Sequence, residues 1–322
     1  MKVLIIQTSF PGDTILASSL IESLHASIPN AQIHFLLRKG NESLFMNHPF
    51  LDKLWIWDKS IKFKSALSLI RAFRNEKFDL IVNVQRFFMT GAITLLSGPK
   101  ISIGFDKNPW SIFFTKKIKH EFKIGLHETL RNYQLIQEFA GIFKKPKLYP
   151  PEIKISDEPY IVLAPASVWF TKQWPEEYWI ELGNLLQSKY KIVLLGGPAD
   201  VELCERIEKE IGVNVINTCG KYKLLESAGI IKNAQAIVCN DSAPAHLATA
   251  VNTPTVQIFC STTTQFGFTA DADKTIILQT EENLDCRPCN NHGLKACPLQ
   301  HFSCAKSIKA SRVMAAIEQI LA

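Results

Sequence analysis

No run of 18 apolar residues occurs in the chain, so the sequence signal of a membrane-crossing helix is missing. The opening MKVLIIQTSF has only a short apolar run before Gln7 and no small-residue cleavage site, so it reads as a first strand rather than a secretory leader. A cytoplasmic protein is expected. The loop TSFPGDTIL at 8–16 is not GxGxxG, and GGPAD at 196–200 lacks the GK[ST] of a Walker loop. There is no residue-level repeat and no recognised nucleic-acid motif. The lysine-rich stretch from Lys100 to Lys123 contains no arginine, which argues against a nucleic-acid binder.

What is present is a globular composition, 47% hydrophobic and 20% charged, and 322 residues is more than one ordinary domain needs. The net charge of +6 hides an asymmetry. Residues 1–150 carry 21 Lys and Arg against 11 Asp and Glu, whereas residues 151–322 carry 15 against 19. A first half at +10 suits an anionic partner such as a phosphorylated glycan, nucleic acid or a membrane surface, and is also compatible with a solubilising surface.

Apolar runs alternate with helix-like segments throughout. KVLIIQT, QIHFLLR, KLWIWD and DLIVNV read as strands, with TILASSLIESLHASI and KSALSLIRAFRNEK as helices between them and HETLRNYQLIQEFAGI as a helix after them. FKKPKLYPPEIKISDEP, rich in Pro and Lys, is the linker candidate. The pattern then restarts with YIVLAPAS, KIVLLGG, VNVIN, AQAIVCN and TVQIF, helices intervening, and SIKASRVMAAIEQILA closes the chain. This predicts two doubly wound parallel-sheet domains, 1–150 and 151–322, with a cleft at the carboxyl ends of their strands.

Four loops can carry chemistry. In CNDSAPAHLATAVNTPTVQIFCST, Asp241 sits where an N-cap belongs, and the small residues Ser242, Ala243 and Ala245 let a ligand approach a helix N-terminus that favours phosphate. His246, one turn further in, is suited to donate to a phosphate or sugar oxygen, or to be a satisfied buried histidine. In SVWFTKQWPEEYW, Ser167 and Thr171 offer hydroxyls and Lys172 a point charge ahead of a helix start at Trp174–Glu177. Asp13 in the first loop is either a helix cap or a carboxylate general base. Cys286, Cys289, Cys297 and Cys304, with His292 and His301 nearby, begin with CxxC. CxxC resembles half of a zinc site but the later spacing is not that of a zinc finger; a reduced packed loop is expected, with a bound metal or disulfides as the alternatives.

PGD at 11–13, TKQWPEEYW, LLGGPAD at 194–200, NDSAPAHLATA, PTVQIFCST and the tail CRPC…CPLQHFSC together resemble glycosyltransferase family 9, the lipopolysaccharide heptosyltransferases, over nearly the whole chain. The tail is most similar to that of the second heptosyltransferases of inner-core assembly. The resemblance implies a GT-B fold of two Rossmann-like domains and an inverting transfer of heptose from ADP-heptose to an inner-core sugar, with no cofactor and no essential metal. It implies that Asp13 is the catalytic carboxylate. It implies that Ser167, Lys172, Asp241 and His246 serve the donor, with Ala243 standing where many members have Gly; Thr171 and Ser242 are donor-side candidates from the chemistry of the same loops. Arg86, His127 and Arg131 fall in looser matches to acceptor-side elements.

A relative using another nucleotide sugar, and a non-catalytic sugar-nucleotide binder that would tolerate Asp13→Asn, are the competing readings. WSIFFTKKIK at 110–119 reads either as a buried helix with a solvated basic end or as a segment that rests on the anionic surface of the inner membrane.

Overall fold

The computed structural model describes residues 1–122 and 124–322, and divides into two compact units, Met1–Tyr149 and Pro150–Ala322. Lys123, the end of the lysine-rich stretch, lies outside the described residues.

The first unit runs β1 (Lys2–Ile6), α1 (Pro11–Ser27), β2 (Gln32–Arg38), β3 (Lys53–Trp57), α2 (Lys62–Glu76), β4 (Leu80–Asn83), α3 (Phe88–Leu96), β5 (Ile101–Phe105), β6 (Lys116–Ile118) and α4 (Glu128–Tyr133). The second runs β7 (Tyr160–Ala164), α5 (Glu176–Leu186), β8 (Lys191–Leu194), α6 (Val201–Ile211), β9 (Val215–Asn217), α7 (Leu224–Lys232), β10 (Ala236–Asn240), α8 (Ala243–Val251), β11 (Thr255–Phe259), β12 (Thr275–Gln279), α9 (Ser303–Lys306) and α10 (Ala310–Leu321).

Each unit contains one parallel six-stranded sheet, ordered β3-β2-β1-β4-β5-β6 and β12-β11-β10-β7-β8-β9. Both orders are the doubly wound Rossmann arrangement, so each unit has a point where the strand order reverses, at β1/β4 and at β7/β10. The central strands are continuous apolar runs because helices cover both faces: KVLII and YIVLA are almost wholly buried. Outer helices are amphipathic instead. In α6 only Cys204, Ile207 and Ile211 are buried, at the spacing of one helical face. Full burial of each such side chain contributes about 1.5–3 kcal/mol.

Several sequence expectations change in detail. The helix expected over HETLRNYQLIQEFAGI ends at Tyr133. The chain then tightens into turns with Leu135 bonded to Asn132 and Ile136 to Tyr133, which bury Leu135, Ile136 and Ala140. WSIFFTKKIK is not a buried helix: residues 111–113 form one 3-10 turn and 116–118 an edge strand, with Ile112 and Phe113 exposed and only Phe114 turned into the core. The first part of the proline-rich linker is held along α1, where the hydroxyls of Ser27, Ser23 and Ser18 accept from the amides of Ile142, Lys144 and Lys147. No helix among the described residues is long and apolar enough to cross a membrane.

Candidate active site

In the second unit, β7 and β10 are direct neighbours, Ala164 pairing with Cys239, so the loops that leave them emerge together at the reversal point. Asn240, fully buried, donates from Nδ2 to the Pro165 carbonyl at 2.8 Å and so fixes the start of the 165–175 loop. Lys172, on a 3-10 turn over Phe170–Lys172, reaches across this junction. Its Nζ lies 2.7 Å from Asp241 Oδ2, and the two side chains are only 16% and 7% exposed. The Thr262 hydroxyl donates to the same carboxylate at 2.7 Å.

This geometry corrects the capping role expected of Asp241. The N-cap of α8 is Ser242, in an extended conformation and without a side-chain cap bond. The Asp241 carboxylate is instead taken up by an ammonium, which adds a full opposite charge, and by a hydroxyl. The Ser242 Oγ is buried without a hydrogen-bond partner. Pro244 removes one amide from the first turn, and the Ala245 amide is bonded to the Ser242 carbonyl, so the amides of Ser242 and Ala243 remain at the helix head. His246 is buried behind them, its ring 6.3 Å from Phe268.

The other donor-side candidates divide. Ser167 is half-buried and its carbonyl accepts from Gln173 Nε2 at 2.7 Å. Thr171 is buried as a brace: its hydroxyl accepts from the Leu294 amide at 2.8 Å and from the Ser261 hydroxyl at 3.0 Å.

In the first unit, β1 pairs with β4, Ile6 opposite Asn83, which places the loops after them side by side. A polar network orders these loops. Gln85 Nε2 donates to Gln7 Oε1 and, at 2.9 Å, to Ser9 Oγ; Asn41 Nδ2 donates to the Ser9 carbonyl and to Thr14 Oγ1, each at 3.0 Å. Asp13 is the third residue of α1, whose N-cap is Phe10 and whose first residue is Pro11, so Asp13 is a first-turn acid rather than the cap.

Helix α4 packs against α1 and brings Glu128 near Asp13. Burial pushes the Glu128 carboxyl up to about 7; Arg131 opposes the shift and the Asp13 charge adds to it. Burial, with the positive charges of Arg86 and Arg131, holds His120 down at about 4. Of the acceptor-side candidates, Arg86 is exposed. His127 caps α4, accepting from the Thr129 amide at 3.3 Å. Arg131 is fully buried, with Nε on the Glu121 carbonyl at 2.8 Å, one terminal nitrogen on the Leu126 carbonyl at 2.9 Å and the other on Glu128.

Sequence reasoning missed a basic concavity of about 180 Å³ lined by Arg38, Lys39, Trp57, Asp58, Lys59 and Ser60. Asp58 neutralises Lys39 at 2.7 Å. Lys59 Nζ donates to the Thr8 carbonyl at 2.7 Å, and burial together with the charges of Arg38 and Lys62 lowers its pKa. With Lys39 neutralised, Arg38 and Lys59 leave the concavity net positive, which favours an anion. The only sequence signal was the positive balance of the first half.

The clustered cysteines carry free thiols, Cys286 Sγ lying 3.9 Å from His301 Nε2, and burial pushes Cys304 up to about 12. Among the described residues, no three His, Cys, Asp or Glu side chains are arranged to hold a metal ion.

Residues 66–295 match the family model of glycosyltransferase family 9 (heptosyltransferase). Over 334 residues the chain is 27% identical to lipooligosaccharide heptosyltransferase 2 of Campylobacter jejuni, covering 99% of each protein. The structure of E. coli ADP-heptose lps heptosyltransferase II is similar with a TM-score of 0.82 at 21% identity, covering 100% of this chain and 98% of that one. E. coli heptosyltransferase WaaC with ADP is similar with a TM-score of 0.75 at 20% identity, covering 99% of this chain and 100% of that one.

Proposed function

The chain belongs to glycosyltransferase family 9, the heptosyltransferases, and we propose that it is an inverting enzyme that moves heptose from ADP-heptose onto an inner-core sugar of lipopolysaccharide. The observation that carries this reading is the Lys172–Asp241 pair at the head of α8, beside two amides and an unpartnered hydroxyl. A nucleoside diphosphate leaving group gathers negative charge as the glycosidic bond breaks. Lys172 and the Ser242 and Ala243 amides take up that charge without a metal ion or other cofactor. Asp241 orients the lysine, and His246 and Ser167 complete the donor side.

On the acceptor side, Asp13 removes the proton from the attacking hydroxyl, which adds to the anomeric carbon from the face opposite the departing ADP. Arg86 and the concavity that holds Arg38 and Lys59 suit the carboxylates and phosphates of an inner-core acceptor. In this reading the enzyme works in the cytoplasm and touches the anionic inner membrane peripherally. Phe87, Phe88, Ile112 and Phe113 are each more than half exposed. Trp110 joins them, its ring 5.1 Å from Phe88 and 6.1 Å from Phe113, and Lys107 and Lys117 lie alongside in sequence.

The test is a transfer assay in EDTA with ADP-heptose and a delipidated inner-core acceptor. Wild type forms product. Asp13→Ala loses about 10²–10⁴ of the rate and still binds ADP. Product from Asp13→Ala at the parent rate removes the base assignment. Product only with a different nucleotide sugar reassigns the donor.

A further inference from the structure

The cysteine-rich segment supplies none of the groups assigned above, yet it is bonded to the chain segments that carry Thr262 and Lys172. Arg287 is half-buried and its guanidinium has three acceptors: Nε donates to the Cys260 carbonyl at 2.8 Å, and one terminal nitrogen to the Thr262 carbonyl at 2.7 Å and to Gln279 Oε1 at 2.9 Å. These bonds pin the chain that leaves β11, and it is Thr262 on this chain whose hydroxyl meets Asp241. Further along, Leu294 and Thr171 are bonded in both directions, backbone amide to carbonyl at 3.1 Å and amide to hydroxyl at 2.8 Å. Between these ties lies Gly293. Its φ of +91° is one that side-chain-bearing residues rarely adopt, and a Cβ there would stand 2.8 Å from Trp169 Cβ and 2.9 Å from Lys172 Cγ. The Phe302 ring stacks on Phe170 at 5.2 Å, next to the same turn.

Lysine carries a flexible four-carbon stem, and a three-residue 3-10 turn does little to aim it. The geometry points to the segment Arg287–Leu294 as a strap, with Arg287 and Gly293 as positioning residues that set Lys172 and Asp241 in register for a diphosphate. Arg287 acts on Asp241 through Thr262. Gly293 acts on Lys172 by letting the strap lie against its stem. This rests on the donor reading for its purpose, and not for its geometry.

The test compares wild type with Arg287→Ala, Arg287→Lys and Gly293→Ala in the full chain. Two readouts are needed: the rate at which an acylating reagent labels the Lys172 amine, followed by peptide mass spectrometry without ligand, and the dissociation constant for ADP. In Arg287→Ala and Gly293→Ala, Lys172 labels several-fold faster while the remote Lys221 is unchanged. ADP binds about tenfold more weakly, and the acceptor KM stays at its parent value. Arg287→Lys recovers part of the loss. If Arg287→Ala does not fold, Thr262→Val, which removes only the hydroxyl on Asp241, and Gly293→Ala carry the same expectations. Unchanged Lys172 labelling in folded variants overturns the strap, whatever the ADP affinity. Faster labelling in a protein that binds no ADP even as wild type leaves the strap standing and removes the donor reading instead.

Discussion

Asn240 Oδ1 accepts the Trp174 amide at 2.9 Å, so the carboxamide that holds the beginning of the 165–175 loop also holds its end. The carboxamide does both because its oxygen accepts while its nitrogen donates. Trp174 is itself locked, its indole N–H on the Ile308 carbonyl at 2.7 Å. Both ends of the loop bearing Lys172 are thereby anchored. Asn240→Ala leaves a buried amide and a buried carbonyl without partners, at a cost of about 1–3 kcal/mol each. Chemical denaturation should show a loss of about 2–6 kcal/mol, and ADP affinity should fall with it. A variant as stable as wild type would mean that water replaces both bonds.

Lys172→Met keeps the apolar stem and removes the charge. Asp241 is then left nearly buried beside Thr262 alone, which destabilises the fold by up to about 3–5 kcal/mol. Asp241→Asn in the same background should restore most of that loss without restoring ADP binding. A double-mutant cycle on stability and on the ADP dissociation constant separates the two effects. Full recovery of ADP binding in the double variant would show that the lysine serves the fold and not the ligand.

Glu128 gives a pH signature. Its carboxyl is raised from the ordinary 4.5 to about 7 in the folded chain, chiefly by burial. Between these values the unfolded chain has released this proton and the folded chain still holds it, so the Glu128 contribution to stability falls as pH rises. Glu128→Gln, uncharged at all pH, should gain stability relative to wild type as pH rises through this window, by on the order of 1–3 kcal/mol. His120 works in the opposite sense: held at about 4 by burial, it loses stability as pH falls from 6.5. The difference between Glu128→Gln and wild type isolates the first group. A pH-independent difference would place the Glu128 titration near its unfolded value.

The exposed aromatic patch should bind vesicles containing anionic lipid and not purely zwitterionic ones, with binding that weakens in salt. Replacing both Ile112 and Phe113 with Ser, residues 70% and 62% exposed, should reduce co-flotation at least about tenfold and leave turnover of a delipidated acceptor unchanged. Undiminished flotation in the double variant would remove the patch as the docking surface.

Local pattern sufficed for a large part of this molecule. Runs such as KVLII and YIVLA, buried on both faces, and the one-sided apolar spacing of α6 carry their fold in the sequence, because periodicity is a property of neighbouring residues. The loops at 165–175 and 240–246 could be singled out for the same reason, from small residues, a lysine and a helix start. The edge strands β6 and β12 were not legible, since short half-exposed strands have no alternation to read. Nor were the partners. Asp241 looked like a helix cap until Lys172 and Thr262 competed for its carboxylate. Arg131 read as part of an acceptor-side element, and that it is buried around Glu128 and two carbonyls could not be read from the sequence. The cysteine-rich tail read as a reduced packed loop, with no sign that Arg287 and Gly293 lie against the chain segments bearing Thr262 and Lys172. Strand and helix content follows from short-range chemistry, which the sequence states directly. Which charges meet is decided where the sheet order reverses and brings distant loops to one edge, and only the tertiary structure does that.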